Sequence, residues 1–311
     1  QHAGNTVTKL VKNASGGIEA KSVELYQDFA WGKELVQEQV FRQADDANPL
    51  TTTRTYANAR LAGIVNPDGS WTRYEYDGQG RITQAVESWL DAAANVPANQ
   101  AKAVNYGYTP VDDNDNGTVF PEEPRTETVA ILGITVSKQY HAHYTNESGD
   151  RVHVEEACSS AGAAYGATGA LRTVTTYYRY QPNTTNLPWA GKVKEIRSPD
   201  GRMDTHAYAF GSWTPQTRVF QEGAGAYVRQ RVTHGLANAP DGVANKTTMD
   251  EVVTDAQGNS IYQAVYVFTG SAYSLVSWSA QTFDTLGRLT QSTGSDGAVA
   301  DQTWTCCGLE S

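Results

Sequence analysis

The segment Asp112-Asp113-Asn114-Asp115-Asn116-Gly117-Thr118-Val119-Phe120-Pro121-Glu122-Glu123 carries side-chain oxygens at alternate positions, then a glycine, then a closing glutamate. That is the spacing of a calcium loop: Asp112, Asn114 and Asn116 would wrap a hard cation, Gly117 would allow the sharp bend, and Glu123 would bind with both oxygens. Against this stand Pro121 at the exit, the lack of an evident helix on either flank, and the competing reading of a solvated acidic loop. Calcium is the one cofactor the sequence suggests. His141 and His143 lie two apart, on one face of any strand, and His153 follows a turn at Ser148-Gly149-Asp150. Three imidazoles suit zinc, but the aromatic neighbours and the missing carboxylate partner favour a structural role.

Other chemistry is thin. No G-x-S-x-G elbow occurs, Cys158 runs into the loop-like Ser159-Ser160-Ala161-Gly162, and Gly162 to Gly169 lacks both a leading apolar strand and a Lys-Ser/Thr. Cys306 and Cys307 are adjacent, with no C-x-x-C to complete a metal site, so packed thiols are the preferred reading. Asn13, Asn116, Asn146, Asn183 and Asn245 head N-x-S/T sequons in turn-like contexts. Nothing here reads as an enzyme, and we expect none.

The elements that would position these groups are strands. Tyr supplies 17 residues, Phe 7, Trp 7 and Gly 28, against only 2 Met, a balance suited to half-buried pleated surfaces. In Trp71-Thr72-Arg73-Tyr74-Glu75-Tyr76, Tyr74 and Tyr76 share one face while Arg73 and Glu75 take the other. Thr173 to Tyr180 and Ser260 to Phe268 are likewise rich in β-branched and aromatic residues. The best helix candidates are Val23 to Arg42, interrupted by Gly32, and Glu87 to Val104, interrupted by Pro97.

One spacing recurs three times. A small residue, a cation and a branched apolar residue precede Asp-Gly, and an aromatic follows: Ala59-Arg60-Leu61 with Asp68-Gly69 and Tyr76, Gly191-Lys192-Val193 with Asp200-Gly201 and Tyr208, Gly287-Arg288-Leu289 with Asp296-Gly297 and Trp304. This predicts a strand, a tight turn and a returning strand, the Asp-Gly pair supplying the positive φ of a primed hairpin turn. Pro67 and Pro199 hold the approach extended. A second turn, Tyr76-Asp77-Gly78-Gln79-Gly80-Arg81-Ile82, recurs as Phe283-Asp284-Thr285-Leu286-Gly287-Arg288-Leu289, with a degraded copy at Tyr56 to Leu61.

Together, Tyr76-Asp77-x-x-Gly80-Arg81-Ile82 and Asn66-Pro67-Asp68-Gly69 resemble the YD repeat of bacterial RHS and wall-associated proteins, related to the YD shell of teneurins. Thr303 to Ser311 is similar to segments of large RHS-type proteins. The resemblance is clearest over 54–89, 190–212 and 281–311, extends to 250–268, and is interrupted by insertions at about 90–125 and 145–170. It implies an all-β fold in which repeated long antiparallel hairpins form one sheet, shell-like or open, through 1–311, and in bacterial relatives often enclosing a C-terminal toxin. No Asp-Pro-x-Gly-Leu-type segment, where such cores are cut from their cargo, occurs in this sequence, and no toxin domain is expected within it. The expectation is an interior piece of a longer shell, or a free-standing array.

Charge and hydropathy narrow the partners. Lys+Arg 24 against Asp+Glu 34 gives a formal charge of −10, with the cations scattered, so nucleic acid is not expected. No run reaches the roughly 18 apolar residues of a membrane-spanning helix, and no membrane insertion is expected. The expected role is a non-catalytic scaffold of a secreted or cell-surface protein, a shell wall or a filament, whose partners are adjacent YD repeats and a polypeptide cargo. The alternative is a carbohydrate-binding or adhesion module that stacks a surface glycan on Trp71, Trp89, Trp189 and Trp213.

Overall fold

The computed structural model describes residues 2–43, 47–179, 188–236, 247–305 and 308–309. Among these the regular elements are all strands, paired antiparallel, apart from one 3-10 turn at Ala98–Gln100. It divides into two compact units: residues 1–112, 120–141 and 157–170 form the first, and 113–119, 142–156 and 171–311 the second.

The first unit is a meander of β1 (His2–Ala3), β2 (Thr6–Lys12), β3 (Ile18–Phe29), β4 (Gly32–Phe41), β5 (Leu50–Ala57), β6 (Arg60–Val65), β7 (Trp71–Tyr76), β8 (Ile82–Glu87), β9 (Lys102–Gly107), β10 (Thr126–Ile131) and β11 (Ile134–Thr145), the last belonging here through His141. Each pairs antiparallel with the next. The second unit contains β12 (Arg151–Ala157) through Glu156, then β13 (Leu171–Tyr177), β14 (Val193–Arg197), β15 (Arg202–Thr214), β16 (Val219–Glu222), β17 (Tyr227–Leu236), β18 (Thr248–Thr254), β19 (Ser260–Phe268), β20 (Tyr273–Phe283), β21 (Leu289–Gly294) and β22 (Val299–Asp301). From β13 to β22 successive strands pair, except that β15 pairs with both β16 and β17. A short pair, β23 (Trp304–Thr305) and β24 (Gly308–Leu309), follows.

The all-β expectation holds, and the three Asp-Gly corners lie at bends between paired strands: β6 and β7, β14 and β15, β21 and β22. Both helix expectations are corrected. Val23 to Arg42 is the β3–β4 hairpin, turned at Ala30-Trp31 just before Gly32, and Glu87 to Val104 is the end of β8, a loop with the 3-10 turn, and the start of β9. Gly32 and Pro97 mark turns, not helix breaks. The insertions also carry strands, β9 within 90–125 and β12 within 145–170.

In each unit an irregular segment covers one sheet face. In the first, the loop before β9 lays Ala92, Val96 and Ala98 on Trp71, Val86, Ala101 and Ala103. The Trp71 indole N–H donates to the Ala92 carbonyl at 2.7 Å, and Arg73 donates to Val96 O at 2.7 Å. In the second, β15 leaves β17 at Gly211 and turns back as β16, placing Trp213 and Phe220 against Val253, Tyr262 and Ala264. A Cβ at Gly211 or Gly225 would collide with backbone, so this crossing requires glycine.

Candidate functional site

One corner geometry recurs through the strands of both units. At Asn13, Asn66, Asp77, Asn146, Ser198, Asp255, Asp284 and Gly294, the residue's N–H donates to the carbonyl four residues on, and its carbonyl accepts from the N–H three residues on, at 2.8–3.1 Å. The fourth residue is always glycine, with φ from +75° to +95°. These are three-residue hairpin loops, a type I turn closed by a glycine bulge. Thus Asp68, Asp200 and Asp296 keep negative φ and only the following glycine is left-handed, which corrects the primed-turn expectation. Pro67 and Pro199 occupy the second turn position, where a fixed φ is an advantage. The degraded copy at Tyr56 to Leu61 is the primed one: Ala57 pairs with Arg60, and Asn58 and Ala59 have φ +52° and +62°.

Carboxylates fix these corners in two ways. Asp77 Oδ1 accepts from the Gln79 and Arg81 N–H groups while its Oδ2 accepts from Arg81 Nε at 2.8 Å, and Asp284 does the same with Leu286 and Arg288. Asp255 does so with Gln257 and Asn259, a third copy that the sequence pattern missed because asparagine replaces arginine. In the Asp-Gly corners Asp68, Asp200 and Asp296 accept from the N–H two residues on. Hydrogen bonds from the Arg81 and Arg288 backbone and guanidinium groups hold the Asp77 and Asp284 carboxyls below their usual range.

The cation and the aromatic of the repeat meet across hairpins. At the three dyads Arg60-Leu61, Arg81-Ile82 and Arg288-Leu289 a bulge follows the aliphatic residue, leaving Ala62, Thr83 and Thr290 as extra residues. The carbonyl beside each bulge accepts from an aromatic tip: Leu61 O from Tyr76 Oη at 2.8 Å, Ile82 O from Tyr108 Oη at 2.8 Å, Leu289 O from Trp304 Nε1 at 2.6 Å. The preceding arginine lies over the same ring, Arg60 on Tyr76 at 5.5 Å, Arg81 on Tyr108 at 4.0 Å and Arg288 on Trp304 at 5.6 Å. The bulged backbone therefore gains a partner from the next hairpin, and the fixed offset between dyad and aromatic has a mechanical cause. Leu35 O with Tyr56 Oη, 3.0 Å, is an earlier copy without the signature.

The calcium-loop residues are divided between the units, Asp112 and Glu123 in the first, Asn114 and Asn116 in the second. Asp112 Oδ2 accepts from Tyr165 Oη at 2.7 Å, and Asn116 Oδ1 from the Thr118 N–H and hydroxyl. The loop's buried carboxylate is Asp115, which accepts from the Gly117 and His143 N–H groups. Arg125, buried, donates to the Phe120 and Glu123 carbonyls. Nothing in the spacing singles out either residue. The His143 and His153 rings stack face to face, centroids 4.4 Å apart and planes 7° apart, so their in-plane lone pairs do not converge. Among the described residues no group of three His, Cys, Asp or Glu side chains is placed to hold a metal ion.

Asn13 and Asn146 cap their own corners with side-chain oxygens, Asn183 and Asn245 lie outside the described residues, and so do Cys306 and Cys307. Cys158 is a half-buried thiol near the Ala163 carbonyl. Of the aromatic platform, Trp71 is buried and Trp213 packs on Tyr262 at 4.8 Å. Trp189 lies against Tyr208 and Phe210, and Trp89 is half-buried.

Residues 56–88 match the family model described as RHS Repeat, over the stretch that holds the first Asp-Gly corner and the Asp77 corner. No curated protein matches. Similar solved structures include "Crystal Structure of TcdB2-TccC3" at 9% identity and TM-score 0.22, covering 97% of this chain and 20% of that one, and "Crystal Structure of TcdB2-TccC3-Cdc42" at 12% identity and TM-score 0.25, covering 98% and 17%. The chain spans about a fifth of the length of either.

Proposed function

We propose that this chain is a wall segment: a non-catalytic β-scaffold of a secreted or cell-surface protein, whose hairpins, joined to further YD repeats of the same or neighbouring chains, enclose or present a polypeptide. The observation that carries the reading is the coupling between corners at three arginine–aliphatic dyads, Arg60-Leu61, Arg81-Ile82 and Arg288-Leu289, which meet Tyr76, Tyr108 and Trp304 of a following strand. Such coupling makes each repeat's stability depend on its neighbour, the logic of a linear array. The RHS Repeat match over 56–88 supports the same reading.

Shell and filament are the two forms such a wall takes. A sheet that curves until its edges are covered encloses a space, while an uncovered edge adds the next copy. Electron microscopy of the purified protein separates them: closed particles of constant size favour the shell, fibres favour the filament, and dispersed compact monomers at every concentration would overturn both. Glycan stacking is the second reading, reduced to Trp189 and Trp89 because Trp71 and Trp213 are taken up in packing. Tryptophan fluorescence unchanged by polysaccharide would remove it.

A further inference from the structure

Away from the corners, one polar cluster lies on the second unit's sheet face opposite the β16 strap. His234 on β17 is held between Asp204 on β15 and Asp250 on β18, its Nδ1 2.7 Å from Asp204 Oδ1 and its Nε2 3.2 Å from Asp250 Oδ2. A neutral imidazole has one N–H and one lone pair, so it donates to only one of two carboxylates and turns a lone pair toward the other. The imidazolium donates to both. We propose that His234 is a proton-operated clamp: binding one proton ties β15, β17 and β18 together, and losing it loosens this end of the sheet.

The surrounding charges are compatible with that assignment. On the same face β15 also offers His206, and Arg202, whose Nε is paired with Asp200 Oδ2 at 2.7 Å. β14 offers Lys194, paired with Asp150 at 2.6 Å, β17 offers the neutral Gln230, and β19 offers Gln263, Val265 and Val267. Arg229, Arg231 and Glu251 lie on the opposite face and pair among themselves and with Glu222. Asp241 and Lys246, in the β17–β18 connection, lie outside the described residues. Burial by itself would lower the His234 pKa, but the hydrogen bonds and charges of Asp204 and Asp250 outweigh it and the net shift is upward. His206 moves the other way, lowered by burial, and its Nδ1 lies 3.3 Å from Gln230 Nε2.

The signs follow. A raised folded-state pKa gives stabilisation that is complete below the ordinary histidine value, about 6.5, and is lost as pH climbs through the folded value. His206 acts oppositely, costing stability as pH falls below about 6.5, so a whole-protein melting curve mixes the two. The test must therefore be residue-resolved: ring NMR titration of His234 in the intact chain and in Asp204→Asn/Asp250→Asn, with amide exchange at Asp204, Thr233 and Met249 compared between wild type and His234→Gln. We expect a midpoint above 6.5 that falls in the double variant. We also expect a loss of protection between pH 6 and pH 8.5, corrected for intrinsic exchange, of roughly tenfold per unit of displacement, absent in His234→Gln. A His234 midpoint at or below 6.5, or one unmoved by removing both carboxylates, overturns the clamp, as does equal pH dependence of protection with and without the imidazole. If His234→Gln does not fold, the ring titration decides alone.

Discussion

Gly69 and Gly80 share a left-handed φ, +84° and +95°, yet differ in surroundings: nothing lies within 4 Å of a Cβ at Gly69, whereas one at Gly80 would collide with the Arg60 guanidinium. Gly69→Ala should cost about 1–2 kcal/mol, the ordinary penalty for a side chain in that region. Gly80→Ala should cost more in denaturant titrations, and the excess should vanish in an Arg60→Ala background, since the cycle isolates that contact. Asp77→Asn should lower the melting temperature less than Asp77→Ala, because an amide oxygen still caps two N–H groups, as at Asn13. The depressed carboxylates give stabilisation present above the ordinary value of about 3.9 and lost as pH falls through the folded value. Melting should therefore change little from these groups between pH 7 and 5 and drop below about pH 4, less steeply in Asp77→Asn. The Asp-x-x-Gly corner was legible because a single carboxylate, one glycine and their spacing make the turn. Asp115 and Arg125 were not, because their partners depend on where a loop settles.

At the scale of elements, the strands carried the clearest signal and the covers the weakest. Alternation and Asp-Gly spacing point to β6, β7, β14 and β21 directly, whereas Val23 to Arg42 mixes apolar and polar residues in a way that suits either period. What decided it was long-range pairing of β3 with β4, which a local pattern does not contain. The segments that lie over the sheets are equally silent in sequence, since Ala92, Val96 and Ala98 acquire their role only from Trp71 beneath them. Trp71→Ala should cost about 3–5 kcal/mol, measured by urea titration, because it removes the first unit's largest buried side chain in that cluster and leaves a cavity. Gly225→Ala should dislodge the β16 strap alone: protection at Val219–Glu222 should fall and the fluorescence of Trp213, packed on Tyr262, should change, while β18 and β19 stay protected. Loss of protection throughout the second unit would mean that the strap is integral to it.

For the whole molecule, composition set the class and repetition set the architecture. A charge of −10 on a chain with scattered cations disfavours a nucleic-acid groove, and 28 glycines supply the left-handed positions that so many hairpin corners require. The division into two compact units was not legible, because the repeat signature continues on both sides of it. Glycine-bulge corners recur through the sheet, and at Leu61, Ile82 and Leu289 the adjoining bulge is coupled to the aromatic of a following strand. Residue-resolved hydrogen exchange of the corner amides tests this most directly. The N–H groups of Asp77, Gly80 and Arg81, and of Asp284, Gly287 and Arg288, should be protected together, and Tyr76→Phe should speed exchange in the hairpin that carries Leu61 as well as in its own. Corner amides that exchange at unstructured-peptide rates, or a Tyr76→Phe effect confined to β7 and β8, would contradict it.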